Sequence, residues 1–191
     1  MDERAIDLLK GDTVIGPLID TYGPLELQVA DDPFERLVQS ILRQQVSMEA
    51  ADAIAERFFG AIDVSPPALA AANPEDLTEY GLSRQKATYV REVARAFHDN
   101  RYTKRYFVGL DDETVIDELT AIRGVGPWTA KMFLMFALGR ADIFPVEDLG
   151  IRRAMTLHVD AELTRGEMAE YAERWRPVRS YASLYLWRSI D

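Results

Sequence analysis

Leu119-Thr120-Ala121-Ile122-Arg123-Gly124-Val125-Gly126-Pro127-Trp128-Thr129-Ala130 reads as helix, tight turn, helix. Val115, Ile116, Leu119 and Ile122 keep helical spacing up to Gly124, and Ala130, Phe133, Leu134 and Ala137 resume it beyond Pro127. Gly124 and Gly126 permit backbone conformations that a side chain would forbid, and Pro127 stands where a helix start tolerates it. The N–H groups of a first helical turn have no partner within the helix, so such a hairpin can hold a phosphate by backbone alone, without a basic patch. The plainer reading of the same residues is a Gly-Pro helix break that binds nothing.

On either side the pattern stays helical. Phe34, Leu37, Val38, Ile41, Leu42 and Val46 share one face of a helix opened by Asp32-Pro33, and an Ala-rich amphipathic stretch runs from Ser47 through Phe59 to Gly60. Asn73-Pro74-Glu75 opens a short helix that stops at Gly81, and Ser83 begins another carrying Ala87, Val90, Val93, Ala94 and Phe97. Further helices are expected from Asp148 to His158, from Thr164 to Trp175, and over Tyr181, Leu184, Tyr185 and Trp187. Only Leu25-Glu26-Leu27-Gln28-Val29 alternates as a strand would. The expected fold class is all-α, with short connections favouring antiparallel neighbours.

Composition narrows the function classes. With 191 residues and 48% hydrophobic content the chain can bury a sizeable core. Its longest obvious apolar run, Phe133 to Leu138, is far short of the roughly 20 residues that span a bilayer, so no membrane partner is expected. The start, Met1-Asp2-Glu3-Arg4, is acidic where a secretory leader would be basic, which points to a cytoplasmic protein, nucleoid-associated if the source is prokaryotic. Without Cys there is no disulfide, thiolate zinc site, iron–sulfur cluster or Cys nucleophile, and two His give no zinc site. The net charge of -10 argues naively against nucleic acid. Yet only four of the 22 basic residues are Lys, and an acidic, Lys-poor surface resembles proteins adapted to high salt. There the Debye length shrinks to about 3 Å at 1 M and overall sign steers little.

Four segments together carry a resemblance. They are the hairpin, Asp142-Ile143-Phe144-Pro145-Val146-Glu147-Asp148-Leu149-Gly150-Ile151 about twenty residues on, Leu82-Ser83-Arg84-Gln85-Lys86-Ala87 before it, and Arg174-Trp175-Arg176-Pro177-Val178-Arg179-Ser180-Tyr181-Ala182 after it. In this order and spacing the set resembles the helix-hairpin-helix DNA glycosylase superfamily, and within it the 3-methyladenine DNA glycosylase II branch. The resemblance covers residues 34 to 188.

The resemblance implies two helical lobes with an active-site cleft between them: a central lobe of residues 36–136 with the hairpin, and a second of residues 1–35 and 137–191 carrying the catalytic aspartate. Asp148 matches that aspartate. Gly124, Val125, Gly126 and Thr129 match the DNA-gripping hairpin, whose backbone carbonyls, here those of Thr120, Ile122 and Val125, hold Na+ or K+ in such proteins; no other cofactor is implied. Trp128 stands where bifunctional relatives carry the Lys that forms a Schiff base, so the implied activity is monofunctional, without strand cleavage. Gln44 matches a residue that enters the gap left by a flipped base. Ser83, Arg84 and Lys86 match a second DNA-contacting loop, with Arg84 in place of an apolar wedge.

The residues suit that chemistry independently. Alkylation at N3 or N7 makes a purine cationic and a good leaving group, so the transition state needs a carboxylate near the developing oxocarbenium ion rather than a strong acid. Aromatic faces attract a cationic base by about 0.5–2 kcal/mol, and Trp128, Phe144, Tyr22 and Trp187 are the candidates. Asp148 also reads as a helix N-cap, Trp175 and Trp187 as core packing, and His98 and His158 as charge partners of helix C-termini. The expected function is therefore base excision of alkylated purines from double-stranded DNA by a monomer. Two alternatives stay open, a non-enzymatic helix-hairpin-helix damage sensor and a glycosylase for oxidised or deaminated purines.

Overall fold

The computed structural model describes residues 3–190; Met1 and Asp2, on which the reading of an acidic start partly rests, and Asp191 lie outside the described residues. In chain order the α-helices are α1 (Glu3–Leu9), α2 (Ile15–Tyr22), α3 (Pro33–Leu42), α4 (Met48–Ala61), α5 (Pro66–Ala71), α6 (Pro74–Leu77), α7 (Arg84–Asn100), α8 (Lys104–Val108), α9 (Asp112–Thr120), α10 (Pro127–Phe136), α11 (Leu149–His158), α12 (Arg165–Ala172) and α13 (Arg179–Arg188). 3-10 turns cover Thr78–Tyr80 and Glu173–Trp175, and no strand occurs among the described residues. The chain divides into two units, one of Ala30–Leu138 and one of Met1–Val29 with Gly139–Asp191.

In the first unit α3 packs on α7 and α10. Leu37, Val38, Ile41 and Leu42 are fully buried, each worth about 1.5–3 kcal/mol relative to exposure. Phe97, Phe107 and Phe133 meet ring against ring at 5.1–6.4 Å beside them. Side chains cap most of the helix starts: Asp32, Ser47, Asn73, Ser83, Thr103 and Asp111 each accept a first-turn N–H, a contribution of about 1 kcal/mol apiece. Helix α3 stops earlier than the apolar spacing implies. It ends at Leu42, Gln45 turns left-handed at φ 56°, and Val46 is 39% exposed rather than on the buried face.

The second unit is built around Trp175 and Tyr185, both within 1% of full burial. The Leu25–Val29 stretch is irregular, not a strand, because an all-helical unit offers it no ladder. Tyr185 serves its backbone instead: the phenol donates to Gly23 O at 3.0 Å and accepts from Leu25 N at 3.2 Å. Helix α12 ends at Ala172 and yields to the 3-10 turn before Trp175, so the expected single helix from Thr164 to Trp175 is two pieces. That turn is tied down by charge. Asp142 and Glu173 share Arg176 and Arg179, at 2.6–2.7 Å for the four shortest contacts.

Candidate functional site

Helices α9 and α10 form the arms of the hairpin, and Val125 N–H to Ile122 O at 3.0 Å closes its turn. Gly124 is required twice over: its φ is +97°, and a Cβ there would lie 2.2 Å from Tyr89 Cγ. Gly126 differs from the expectation that both glycines answer a backbone demand. Its φ of -97° suits any residue, and nothing lies within 4 Å of a Cβ built on it. What glycine gives there is an open approach to the start of α10, which begins on Pro127 with no side-chain cap.

Two segments are fastened to this hairpin within the same unit. Gln44, expected to enter a gap in DNA, donates its Nε2 to Gly124 O and to Thr129 Oγ1, both at 3.0 Å, and Thr129 is 1% exposed. The exposed glutamine is its neighbour Gln45, which the left-handed turn aims outward. Lys86, expected to contact DNA, donates its Nζ to Leu42 O at 2.6 Å. Burial pushes its ammonium below the ordinary lysine value. Ser83 is the N-cap of α7, accepting from Lys86 N at 3.2 Å, and Arg84 beside it is exposed.

Asp148 belongs to the other unit, where it caps α11. Its Oδ1 accepts from Ile151 N at 2.9 Å and from the indole Nε1 of Trp187 at 2.8 Å. Gly150 makes room for that pair, since a Cβ on it would stand 3.0 Å from Asp148 Oδ1 and 3.1 Å from Trp187 Cδ1. Arg152 reaches back to the carbonyls of Val146 and Glu147 and holds the approach to the cap. Leu149, next to the aspartate, is 72% exposed.

The aromatic candidates separate. Trp187 touches Asp148 through its nitrogen, and half-buried Trp128 sits in the first turn of α10. Tyr22 is at the surface with the Arg188 guanidinium 5.8 Å from its ring centroid. Phe144, the remaining candidate, lies in the core cluster of its unit and packs on Trp175 at 5.9 Å. Trp175 is core as expected, and His158, rather than meeting a helix charge alone, pairs its Nε2 with Ser189 Oγ at 2.9 Å.

Among the described residues no cluster of His, Asp or Glu has metal-ligand geometry. The carbonyls of Thr120, Ile122 and Val125 are hard oxygens of the kind alkali cations take, and that of Ile122 also accepts the turn-closing bond from Val125 N at 3.0 Å.

Sequence reasoning missed Gln45, Tyr89 and Gly150. A Gln-Gln pair at a helix end gives no sign of which member faces out; that depends on where the helix stops. The Asp-Leu-Gly spacing, by contrast, was a readable sign that something must lie close to the aspartate.

A family model described as HhH-GPD superfamily base excision DNA repair protein matches residues 38–179. The DNA-3-methyladenine glycosylase of Saccharomyces cerevisiae is 35% identical over 209 residues, which cover 100% of this chain and 67% of that protein. A 3-methyladenine DNA glycosylase of Schizosaccharomyces pombe, solved in complex with abasic DNA, superposes with a TM-score of 0.87 at 30% identity, covering 97% of this chain and 95% of that one. A DNA-3-methyladenine glycosidase of Bacillus halodurans gives 0.81 at 34% identity, covering 98% and 89%. The family match takes in the hairpin, Asp148 and every helix between, and the chain belongs to the HhH-GPD superfamily of base excision DNA repair proteins.

Proposed function

We propose that this chain is a monofunctional DNA glycosylase that hydrolyses the N-glycosidic bond of alkylated purines of the 3-methyladenine type. The observation that carries the reading is Asp148: a carboxylate held at a helix start by two donors on one oxygen, in a chain whose relatives are named for that activity. The damaged nucleotide leaves the duplex stack first, which is cheapest where pairing is already weakened. The C1′–N bond then breaks with its electron pair going to the cationic purine, which departs neutral. Asp148 stabilises the positive charge that develops on the sugar. Water adds its oxygen to C1′ and loses a proton, leaving an abasic site.

Trp187 orients the carboxylate and offers its ring face next to it, and Trp128 is the second aromatic surface. The hairpin backbone from Gly124 to Thr129 holds a phosphate, and the carbonyls of Thr120, Ile122 and Val125 would hold a Na+ or K+ that would add local positive charge. Gln45, exposed at its turn, fills the space left by the flipped nucleotide in place of Gln44. Two domains divide the work, the Ala30–Leu138 unit holding DNA and the other unit supplying Asp148.

The test is base release from duplexes each carrying one defined lesion, with borohydride present. Release from alkylated purines without a trapped protein–DNA adduct is expected. Lesion binding without release of any base identifies a damage sensor, and a trapped adduct on Lys131 identifies a lyase.

A further inference from the structure

Three segments of the Ala30–Leu138 unit meet at the turn after α3. Leu42 closes that helix, and its carbonyl takes the Lys86 ammonium at 2.6 Å. Gln44, two residues on, is fixed to the hairpin through Gly124 O and Thr129 Oγ1. Gln45 follows directly, in a left-handed conformation that non-glycine residues seldom adopt unless their surroundings impose it. The Lys86 side chain is thus folded back on a helix C-terminus, where both the dipole and the unpaired carbonyl favour a cation. No carboxylate pairs with it among the described residues. A lysine whose task was to neutralise a phosphate would extend from the surface instead.

We propose that Lys86 is a positioning residue: by holding the end of α3 it locks the 43–46 turn against the hairpin, so that Gln45 is presented in one fixed direction. The inference rests on the glycosylase reading, in which Gln45 enters the duplex. Its consequence is that the element gripping the phosphate and the side chain replacing the flipped nucleotide move as one rigid piece. Nucleotide extrusion then depends on Lys86, while the strength of phosphate binding does not.

A double-variant cycle decides between this role, a phosphate contact and a general structural one. Lys86→Met, Gln45→Ala and the double variant are compared with wild type by single-turnover release from a duplex carrying one cationic alkylated purine. Duplex affinity across salt and urea midpoints are read alongside. Loss of one charge-assisted hydrogen bond is expected to slow release about tenfold in Lys86→Met. In the Gln45→Ala background Lys86→Met is expected to add less than twofold, because Lys86 acts through Gln45. The salt slope should match wild type, and Lys86→Arg should recover most of the rate. Losses that multiply in the double variant overturn the proposal, as does a salt slope shallower by about 0.9, the mark of one lost phosphate contact.

If Lys86→Met does not fold, Lys86→Gln, which also removes the charge, carries the same cycle with and without Gln45→Ala. A wild-type chain that releases no base refutes the glycosylase reading separately. The Lys86–Gln45 coupling is then read without chemistry, from 2-aminopurine fluorescence beside the lesion as the duplex opens. Equal opening by wild type and Lys86→Met overturns it there.

Discussion

Replacing Asp148 by Asn and by Ala separates the two things its carboxylate does. Asp148 Oδ1 accepts from Ile151 N at 2.9 Å and from Trp187 Nε1 at 2.8 Å. An Asn carbonyl oxygen can accept both bonds, and Asn caps helices about as well as Asp, so Asp148→Asn should change stability by no more than about 0.5 kcal/mol. Asp148→Ala loses the cap bond from Ile151 N, about 1 kcal/mol, and strands the part-buried indole N–H of Trp187, about 1–3 kcal/mol more. The expected gap between the variants is therefore about 2–4 kcal/mol in urea unfolding. Activity should not follow stability. Asn carries no charge to set against the oxocarbenium ion, and losing one electrostatic stabiliser of a transition state slows a reaction about 10²–10³-fold. Single-turnover base release at saturating enzyme should fall that far or further in both variants, with lesion-duplex affinity within a few-fold of wild type for Asn. Turnover by Asp148→Asn within tenfold of wild type would refute the mechanism. Equal destabilisation by Asn and Ala would refute the hydrogen-bond geometry.

Gly124→Ala should cost about 1–2 kcal/mol for its left-handed backbone and about 1–3 kcal/mol for the clash with Tyr89; adding Tyr89→Gly, which also removes the Cβ 2.6 Å away, should relieve the clash but not the backbone cost, and a single Gly124→Ala variant as stable as wild type would count against the hairpin geometry. Glu173 is held below the ordinary glutamate value, chiefly by its bond from Arg176 and then by the charge of Arg179. A depressed folded-state value means stabilisation that is full above the unfolded value, about 4.3, and lost as pH falls through the folded one, so Glu173→Gln should flatten the acid limb of stability below about pH 5. An acid limb unchanged in urea midpoints would show that the ion cluster does not titrate with unfolding. The slope of log affinity against log salt for lesion DNA should be shallow, corresponding to about two to four phosphates, against about -6 if a basic patch dominates.

Local signals were legible wherever local physics decides the structure. Asp32-Pro33, Ser47, Asn73-Pro74, Ser83 and Asp148 each mark a helix start in the sequence and each is one, because a cap needs only a short polar side chain and its own next turn. Asp148 was marked by the resemblance, while its bond to Trp187, thirty-nine residues on, is a tertiary fact that spacing cannot reveal. The same limit explains Val46, whose place in an apolar periodicity continues past the point where Gln45 breaks the helix. It explains Lys86 and Gln44 as well. Both are polar side chains next to a DNA-binding motif, and only the folded chain shows that one serves a helix end and the other the hairpin's inner side. The short helices α1, α2 and α8 carry too few turns for a periodicity to stand out and are held by packing instead, as Ala5, Leu9, Ile15 and Phe107 show by their burial.

An acidic chain with a polyanionic substrate ceases to be paradoxical once its cations are followed. Arg36 is 8% exposed, its carbon centre 4.9 Å from the Phe136 ring centroid, and burial takes its pKa down to about 10. Arg43 turns to Asp52, Lys86 to Leu42 O, Lys104 to Ala30 O and Arg152 to two carbonyls before Asp148. Arg176 and Arg179 are shared between Asp142 and Glu173, and Arg174 lies over Tyr171 at 3.7 Å. These side chains hold the protein together rather than project toward a partner. In the proposed binding mode, attraction to DNA would come from the hairpin backbone and from exposed cations such as Arg84 and Arg123, a grip that would release few counterions and lose little in salt. Such a grip is local by construction. It would work beside a net charge of -10 because helix-end N–H groups act within hydrogen-bond reach, where repulsion from distant carboxylates is screened. Raising salt should therefore remove repulsion about as fast as it removes attraction, and that balance, more than any patch of positive charge, is what a shallow slope would report.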